Sequence, residues 1–401
     1  MLRLVPDTDD FPIDRVRADT PGVMDVLHFN NAGSALPPNV VVDTVVDYLK
    51  REAQIGGYEA AAEAVESLAA TYDSLARLVG GTGDQIAVIE NATRAWDMAV
   101  YGFPFKEGDR VITARSEYGS NLLAFLQLQK RFGIEIVLVE DDKDGQIDLE
   151  ALDTELERGA AMMSLAHIAT SGGLINPAAE VGRQCRDHGV FYVLDACQSV
   201  GQVHLDVSEL HCDVLSTTGR KYLRGPRGTG FLWVGERAME ILEPPLIDQH
   251  AAVFTADDAY ELVPNAKRFE NWERYFAGQL GLGAAADYLL DLGIDATTSR
   301  LQSLGAELRA RLEAIDGVTV RDKGKHRGGI VTFTIDDVAA TDVKTRLAND
   351  RIHTSVSVAE TSRYDLGARD LNEVVRASVH YYNTIDEIDR FESAVGHLAR
   401  A

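Results

Sequence analysis

The sequence predicts an α/β fold, with a mostly parallel sheet flanked by helices and a smaller α+β domain behind it. Up to about residue 234, short apolar runs alternate with amphipathic segments, which is typical of parallel strands covered by helices. From about residue 295 the order becomes helix, two strands, helix and strand. We therefore expect an N-terminal arm at 1–25, a large domain at 26–293 and a small domain at 294–401.

The first elements of the large domain are a short strand and two helices. A strand beginning near Val26 breaks into an Asn-Asn-Ala-Gly-Ser turn, and two prolines then precede a helix over about 40–53. Gly56 and Gly57 interrupt the helical pattern. An Ala/Glu-rich segment predicts a second helix over about 60–79.

Apolar runs bounded by turns or helices mark the strands of the large domain. A strand, turn and helix follow one another from Ala87, and the first turn of that helix has free N–H groups that favour a phosphate. Because ligands gather at the carboxyl ends of parallel strands, polar residues just after apolar runs are site candidates. The further predicted strands are 109–114, 134–140, 161–170 and 191–195, and the candidates are Thr93, Tyr118, Thr170, Asp195 and Lys221.

The C-terminal part has the order of a separate small domain. A long helix over about 277–292 closes the large domain. The last strand runs from Val374, and the final helix begins at Thr384, with Glu387 three residues later as a capping box. Between the helix at 277–292 and the last strand, the pattern predicts helices over 296–315 and 341–350 and strands over 317–321 and 329–336.

The charge and the cysteines exclude several classes of function. The chain has 39 Lys+Arg against 63 Asp+Glu, a formal net charge of −24, which repels nucleic acid and anionic membranes. Its three cysteines show no CxxC spacing, so neither a disulfide framework nor a metal site is expected. The start of the sequence lacks the features of a signal peptide, and no apolar run is long enough to span a membrane. We expect a cytoplasmic protein with a small-molecule substrate.

Lys221 lies in an unusual setting for a lysine. Glycines near it allow close backbone approach, and Thr218 and Arg220 are suited to bind an anion such as a phosphate ester. Upstream, an apolar strand ends at Asp195. This combination fits a site for pyridoxal 5'-phosphate (PLP), where the lysine forms the Schiff base and the aspartate keeps the pyridine nitrogen protonated. The alternative is two buried strands followed by an incidental lysine.

Three motifs resemble the class V aminotransferase family of PLP enzymes: Asp195-x-x-Gln198, Thr218-Gly-Arg-Lys221 and the stretch from Val375 to Asp389. The resemblance extends over nearly the whole chain from about residue 26. It implies the fold type I of PLP-dependent transferases, with a seven-stranded type of sheet in the large domain. It also implies a homodimer with the active site at the subunit interface.

The resemblance implies a role for each candidate that touches the cofactor. Lys221 forms the Schiff base and moves the substrate's α-proton, Asp195 pairs with the ring nitrogen, and Gln198 contacts the 3'-oxygen. Tyr118 stacks on the ring. The other cofactor-binding candidates are Ala92, Thr93 and Thr218 with Arg220 around the phosphate, and Thr170 near the 3'-oxygen.

The resemblance also implies a substrate-binding set. Arg376 grips the α-carboxylate of an amino-acid substrate in a two-pronged pair. Asn31 and Ala32 are further substrate-binding candidates. Tyr58, just after the paired glycines, is a candidate for the substrate site and for a catalytic role as proton donor to the leaving group.

The favoured activity at this stage is a PLP-dependent C–S β-lyase that cleaves a cysteine conjugate or its sulfoxide to pyruvate, ammonia and a sulfur product. The segment 352–361 contains no cysteine, and none follows Cys212, which disfavours a persulfide-forming cysteine desulfurase. Three stretches resemble the ergothioneine-pathway C–S lyases and the epimerase-like members of the family: Gly56 to Tyr58, Glu117 to Asn121 and Gly219 to Gly228.

The sequence leaves other functions open. An amino-acid epimerase or an aminotransferase shares every step up to loss of the α-proton. A non-enzymatic binding module predicts loss of Lys221 or Asp195, and both are present.

Overall fold

The computed structural model describes residues 11–400. The strands β1 to β15, in chain order, are Leu27–His28, Ile86–Ile89, Arg110–Ala114, Glu135–Val139, Met162–Ala166, Phe191–Asp195, Val214–Thr218, Gly230–Val234, Ala252–Ala256, Ala259–Leu262, Val318–Val320, Ile330–Ile335, Ile352–His353, Ser355–Val358 and Glu373–Ser378. The helices α1 to α14 are Ile13–Ala18, Asn39–Ile55, Gly57–Glu63, Val65–Arg77, Ala92–Val100, Gly119–Phe132, Leu149–Glu157, Ala178–Asp187, Val207–Leu210, Glu236–Ile241, Phe276–Leu292, Ile294–Glu313, Ala340–Asn349 and Ile385–Ala399.

The large domain is built on a seven-stranded sheet in the order β2-β8-β7-β6-β5-β3-β4. The pairs from β7 to β4 are parallel, and β8 runs antiparallel to both of its neighbours. The four strands β5, β6, β7 and β8 are buried at every position, because they are central strands covered on both faces. This confirms the predicted α/β fold with a mostly parallel sheet.

A second sheet of four strands, in the order β11-β12-β15-β14, lies in the C-terminal part and is antiparallel throughout. Helices α12 and α13 pack on it, and α14 packs on these two helices. The strand β1 pairs in parallel with β13, so residues 27–28 contact the small domain although the predicted boundary assigns them to the large one. The domain boundaries themselves stay a prediction.

Two local features differ from the sequence prediction. The helix expected over 60–79 is divided into α3 and α4 at Ala64, whose ψ of 6° departs from helical geometry. No glycine or proline marks that break, so the pattern of residues gave no signal for it. The arm expected at 1–25 contains the helix α1 and a single 3-10 turn at Pro21–Met24, while its residues 1–10 lie outside the described part of the chain.

The parallel strands place their carboxyl ends along one edge of the sheet, where loops from β3, β5, β6 and β7 meet. The interior strands are held on both faces by apolar side chains, so the loops at this edge start from fixed positions. Within residues 11–400, no helix is long and apolar enough to cross a membrane.

Candidate functional site

A cavity of about 200 Å³ opens at the carboxyl ends of the central strands. Most of the residues singled out in the sequence line it, although they come from five separate stretches of the chain. The structure thus brings together at one place Ala92, Thr93, Tyr118, Thr170, Asp195, Gln198, Thr218, Arg220 and Lys221.

Lys221 enters the cavity from the loop after β7. It is only 7% exposed, and its Nζ lies 3.2 Å from the Sγ of Cys197. The backbone at Gly219 passes close to the chain that returns at Thr229, and a Cβ at Gly219 would lie 2.4 Å from the Thr229 Oγ1. A larger residue at this position would displace the side chain of Thr229 or Leu282, so glycine allows the close approach of the two chain segments beside Lys221.

Asp195 is the last residue of β6 and is 7% exposed. Its Oδ1 accepts a hydrogen bond from the backbone N–H of Cys197 at 2.9 Å, and its Oδ2 accepts one from Asn121 Nδ2 at 3.0 Å. Burial raises the pKa of Asp195, and the two donors and the nearby Lys221 oppose that rise. The carboxylate is suited to receive a further N–H from a ring nitrogen.

One end of the cavity is built to hold an anion. Asn91 caps α5 by accepting a hydrogen bond from the N–H of Arg94 at 3.0 Å. Ala92 and Thr93, in the first turn of α5, line the cavity, and the N–H groups of a first helical turn have no helix carbonyl to bond. Arg220 lines the same cavity, so a helix N-terminus and a cationic residue lie together where a phosphate group could bind.

A second cluster of polar groups lies beside the cavity. Gln198 Nε2 donates to Thr170 Oγ1 at 2.8 Å and to the carbonyl of Ala32 at 3.2 Å, while its buried Oε1 has no partner within residues 11–400. Arg376 reaches from β15, and its Nη1 donates to the carbonyl and the Oγ1 of Thr170 at 3.1 and 3.2 Å. Burial lowers the pKa of Arg376.

Arg376 lacks a counter-charge in the described part of the chain. None of the groups that shift its pKa is a carboxylate, and its buried Nε has no hydrogen-bond partner there. The residue as a whole is half-buried, and a cation that is partly removed from water is stabilised when a ligand supplies an anion. The guanidinium is therefore placed to receive a carboxylate from a bound molecule.

Besides Arg376, which reaches the cavity wall through Thr170, three of the sequence candidates do not line the cavity. Tyr58 is 79% exposed on α3, away from the cavity lining. Asn31 is fully buried, and its side chain bonds to the carbonyls of His28 and Ser378 and to the Tyr382 hydroxyl. Ala32 takes part only through its carbonyl, which accepts from Gln198. Roles of these three in substrate binding stay predictions.

The structure places at the site four residues that are not among the site candidates from the sequence. Asn91 and Cys197 line the cavity, and Asn121 lines it behind Asp195. Glu117 lies next to Asn121, which donates a hydrogen bond to it at 3.0 Å. The only sequence signal was their proximity to residues already singled out, since Glu117 precedes Tyr118 and Cys197 follows Asp195 by two positions.

Comparisons with known proteins identify what the chain is similar to. Residues 27–391 match the family model described as Aminotransferase class-V. A probable cysteine desulfurase of Pyrococcus abyssi (strain GE5 / Orsay) is 27% identical, and the match covers 96% of this chain and 97% of that protein. A probable cysteine desulfurase of Halobacterium salinarum (strain ATCC 700922 / JCM 11081 / NRC-1) is 29% identical, with 97% of both chains covered.

Among solved structures, the apo cysteine desulfurase from Thermococcus onnurineus NA1 is 26% identical and superposes with a TM-score of 0.90, covering 97% of this chain and 98% of that one. A variant of the protein C-DES with glycine covalently linked to its PLP cofactor has a TM-score of 0.85 at 21% identity and covers 98% and 99% of the two chains. That second likeness shows the fold alone.

These findings correct the activity inferred from the sequence. The relatives are named cysteine desulfurases, so the prediction of a β-lyase for cysteine conjugates or sulfoxides, with desulfurase activity disfavoured, is wrong. The structure explains the error. The stretch from Glu117 to Asn121, taken as a mark of the lyases, supports Asp195, and Tyr58 lies outside the cavity.

The residues present fit PLP. A buried lysine, a strand-end carboxylate, an unpartnered buried amide oxygen at Gln198 and a helix N-terminus beside Arg220 match the cofactor's aldehyde, ring nitrogen, 3'-oxygen and phosphate in chemical type. The aromatic ring of Tyr118, 39% exposed at the cavity, is available to the face of the cofactor ring.

Proposed function

Because this chain belongs to the aminotransferase class-V family of PLP enzymes, we propose that it is a cysteine desulfurase, which removes the sulfur atom of L-cysteine and releases alanine. The relatives over its full length carry that name. The observation that best supports an amino-acid substrate is Arg376, a half-buried guanidinium without a carboxylate partner in residues 11–400, hydrogen-bonded to a residue of the cavity wall. Lys221 and Asp195 line the same cavity.

In this proposal the side chains around the cavity divide substrate binding, proton transfer and cofactor protonation among them. Arg376 binds the α-carboxylate of cysteine and orients the Cα–H bond towards Lys221. The Nζ of Lys221, held in the cavity, takes the proton from Cα and returns a proton later in the cycle. Asp195 keeps the cofactor's ring nitrogen protonated. The bound cofactor supplies the electron sink for the bond that is broken at Cα.

The sulfur acceptor is proposed to be a thiol outside the chain. Cys185 and Cys212 are buried in the core, and burial raises the pKa of the Cys185 thiol to about 12. Cys197 lines the cavity, yet burial raises the pKa of its thiol as well, so it is held as the weakly nucleophilic neutral form. The segment 352–361 offers no cysteine.

The reaction balances with one external thiol. The Cβ–S bond of cysteine breaks, and Cβ gains a hydrogen to become the methyl group of alanine. The released sulfur forms a bond to the sulfur of the thiol, giving a persulfide. The carbon is reduced and the two sulfur atoms are oxidised to the same extent, so no further oxidant or reductant is needed.

The test is product analysis of the PLP-loaded protein with L-cysteine, with and without an added small thiol. We expect equal amounts of alanine and persulfide when the thiol is present, and little turnover without it. Pyruvate and ammonia in place of alanine would overturn the desulfurase proposal. One alanine per protomer without added thiol, absent in Cys197→Ala, would assign the acceptor to Cys197 and overturn the external acceptor.

Replacing Arg376 with glutamine should weaken recognition of the substrate carboxylate. We expect kcat/KM for cysteine to fall by about 10²-fold or more, because the substrate loses its charged partner in a buried place. The visible spectrum of the bound cofactor should stay unchanged. Steady-state kinetics with cysteine and with cysteamine, which lacks the carboxylate, measure this effect.

The comparison of the two substrates supplies the control. The wild-type protein should strongly prefer cysteine over cysteamine, and Arg376→Gln should lose most of that preference without losing its slow reaction with cysteamine. An unchanged preference would remove Arg376 from the substrate site.

We also propose a homodimer. The hairpin β9–β10 and the segment after it expose large apolar side chains: Val253 (56%), Phe254 (78%), Tyr260 (47%) and Trp272 (55%). Such a patch is more typical of an interface than of a solvated surface. Light scattering that gives a monomer mass at working concentration would contradict this. A cytoplasmic location stays a prediction.

A further inference from the structure

Behind the cavity, Glu117 and Asn121 form a buried polar network with Asp195. The Nδ2 of Asn121 donates to Glu117 Oε1 and to Asp195 Oδ2, both at 3.0 Å. An amide nitrogen carries two protons, so this bridge uses both of them. We propose that Glu117 and Asn121 are positioning residues that fix the Asp195 carboxylate in the orientation that meets the cofactor's ring nitrogen.

Glu117 is itself held by donors from several elements. Its Oε1 accepts from the N–H of Tyr118 at 2.7 Å, and its Oε2 accepts from Thr113 Oγ1 at 3.1 Å and Ser164 Oγ at 3.0 Å. Thr113 and Ser164 are paired residues on the adjacent parallel strands β3 and β5. The sheet therefore fixes the carboxylate of Glu117, which in turn sets the rotation of the Asn121 amide.

The same carboxylate connects the two sides of the cofactor site. Through the N–H of Tyr118 it fixes the backbone that carries the aromatic ring at the cavity, and through Asn121 it fixes Asp195. Cofactor sites depend on such outer contacts, because groups that touch the ligand are precise only when their own rotamers are locked. One side chain here orients two of the groups that contact the cofactor.

A role as a helix cap does not explain why a carboxylate is buried at position 117. The N-cap of α6 is Tyr118, and of the donors to Glu117 only the Tyr118 N–H is a free backbone group of that helix start. Burying a carboxylate, here 4% exposed, costs free energy that a glutamine of the same shape would largely avoid. A purely structural role of Glu117 therefore does not explain why this side chain is a charged glutamate and not a glutamine.

Few other titratable groups lie near the Glu117 carboxylate. Asp195 faces it through Asn121, Lys221 lies beyond Asp195, and the buried phenol of Tyr192 lies on β6. Burial, followed by the charge of Asp195, raises the pKa of Glu117 to about 7. When ionised, Glu117 adds negative charge behind Asp195 and favours a positive charge on the cofactor's ring nitrogen.

The experiment is a pH titration of the visible absorption of the PLP-loaded protein without substrate, comparing wild type with Glu117→Gln. Glutamine removes the charge but can keep all four hydrogen bonds. Its Oε1 can accept from the N–H of Tyr118 and from Asn121, and its Nε2 can donate to the hydroxyl groups of Thr113 and Ser164. We expect the pH of the spectral change to fall by about one unit, since a negative charge that favoured the protonated cofactor is lost. The same midpoint as wild type, with equal affinity for PLP, would overturn the proposal.

A second variant tests the link without Glu117. Asn121→Ala removes the bridge, and we expect the dissociation constant for PLP, measured on the apoprotein, to rise about 10-fold or more. The matched control is Asn383→Ala, which removes a buried asparagine of the small domain bonded to Glu387 and to His380. If both asparagine variants lose stability alike and neither changes PLP affinity, Asn121 is structural only. These measurements use no sulfur substrate, so they stand apart from the desulfurase proposal.

Discussion

Replacing Lys221 with alanine should abolish turnover and the covalent bond between protein and cofactor. Among residues 11–400, Lys221 is the only lysine that lines the cavity, and the two tasks proposed for it, bond formation and proton transfer, would use the same Nζ. Loss of a positioned general base alone lowers a rate by about 10²–10⁴-fold, and loss of the covalent bond adds to this. The measurements are alanine formation from cysteine and, after borohydride reduction, the mass of the peptide that contains position 221.

The matched control is Lys344→Ala, which removes an exposed lysine on α13. It should retain wild-type turnover and the labelled peptide at Lys221. Since Lys221 is buried in a loop with close glycine contacts, the thermal midpoint of Lys221→Ala apoprotein is compared as well. A folded Lys221→Ala protein that still turns over, or a reduced cofactor attached at another lysine, would contradict the assignment.

Replacing Asp195 with asparagine should lower turnover by about 10²–10³-fold while the protein still folds. Asparagine has nearly the same shape, and its carbonyl oxygen can keep one of the bonds from Cys197 N–H or Asn121. It lacks the negative charge that keeps the ring nitrogen protonated, so the electron sink of the cofactor weakens. The pH at which the visible spectrum of the bound cofactor changes should fall as well.

Asp213→Asn provides the control for the loss of a buried carboxylate on the same sheet. Asp213 lies just before β7, at the opposite end of the strands, where it accepts from the N–H of Tyr192 at 2.7 Å and pairs with Arg237. Its variant should lose stability but keep the spectrum of the bound cofactor. Equal effects of the two substitutions on the spectrum would show that Asp195 has no special relation to the cofactor.

Much of the site was predictable because its members follow apolar runs. In a parallel sheet the carboxyl ends meet along one edge, so Thr93, Tyr118, Thr170 and Asp195 had to converge if the runs are strands. The structure places all four around one cavity. The loop that contains Lys221 could be predicted as part of the site too. Its glycines are close to the lysine in the sequence, and glycines allow the backbone to approach a ligand or a neighbouring segment closely.

Other parts of the site depend on contacts that no local pattern encodes. Asn121 and Asp195 are 74 residues apart, and Arg376 and Thr170 are 206 apart. Their contacts follow from the order of strands in space and from the packing of the small sheet on the large domain. Tyr58 shows the opposite case, because a local signal of paired glycines suggested a site while the packing of α3 leaves the side chain exposed.

The sequence by itself determined the α/β class, the alternation of elements and the lysine–aspartate pair of a PLP site, since these depend on periodicity and on residues near in the chain. Only the tertiary structure decided that Glu117 and Asn121 support Asp195 and that Arg376 lies beside Thr170 without a carboxylate partner in residues 11–400. The physical reason is that orientation and counter-charge are set by neighbours in space. The roles proposed for most of the motif residues are contacts to the cofactor, which reactions of many kinds share, and so those motifs misidentified the reaction.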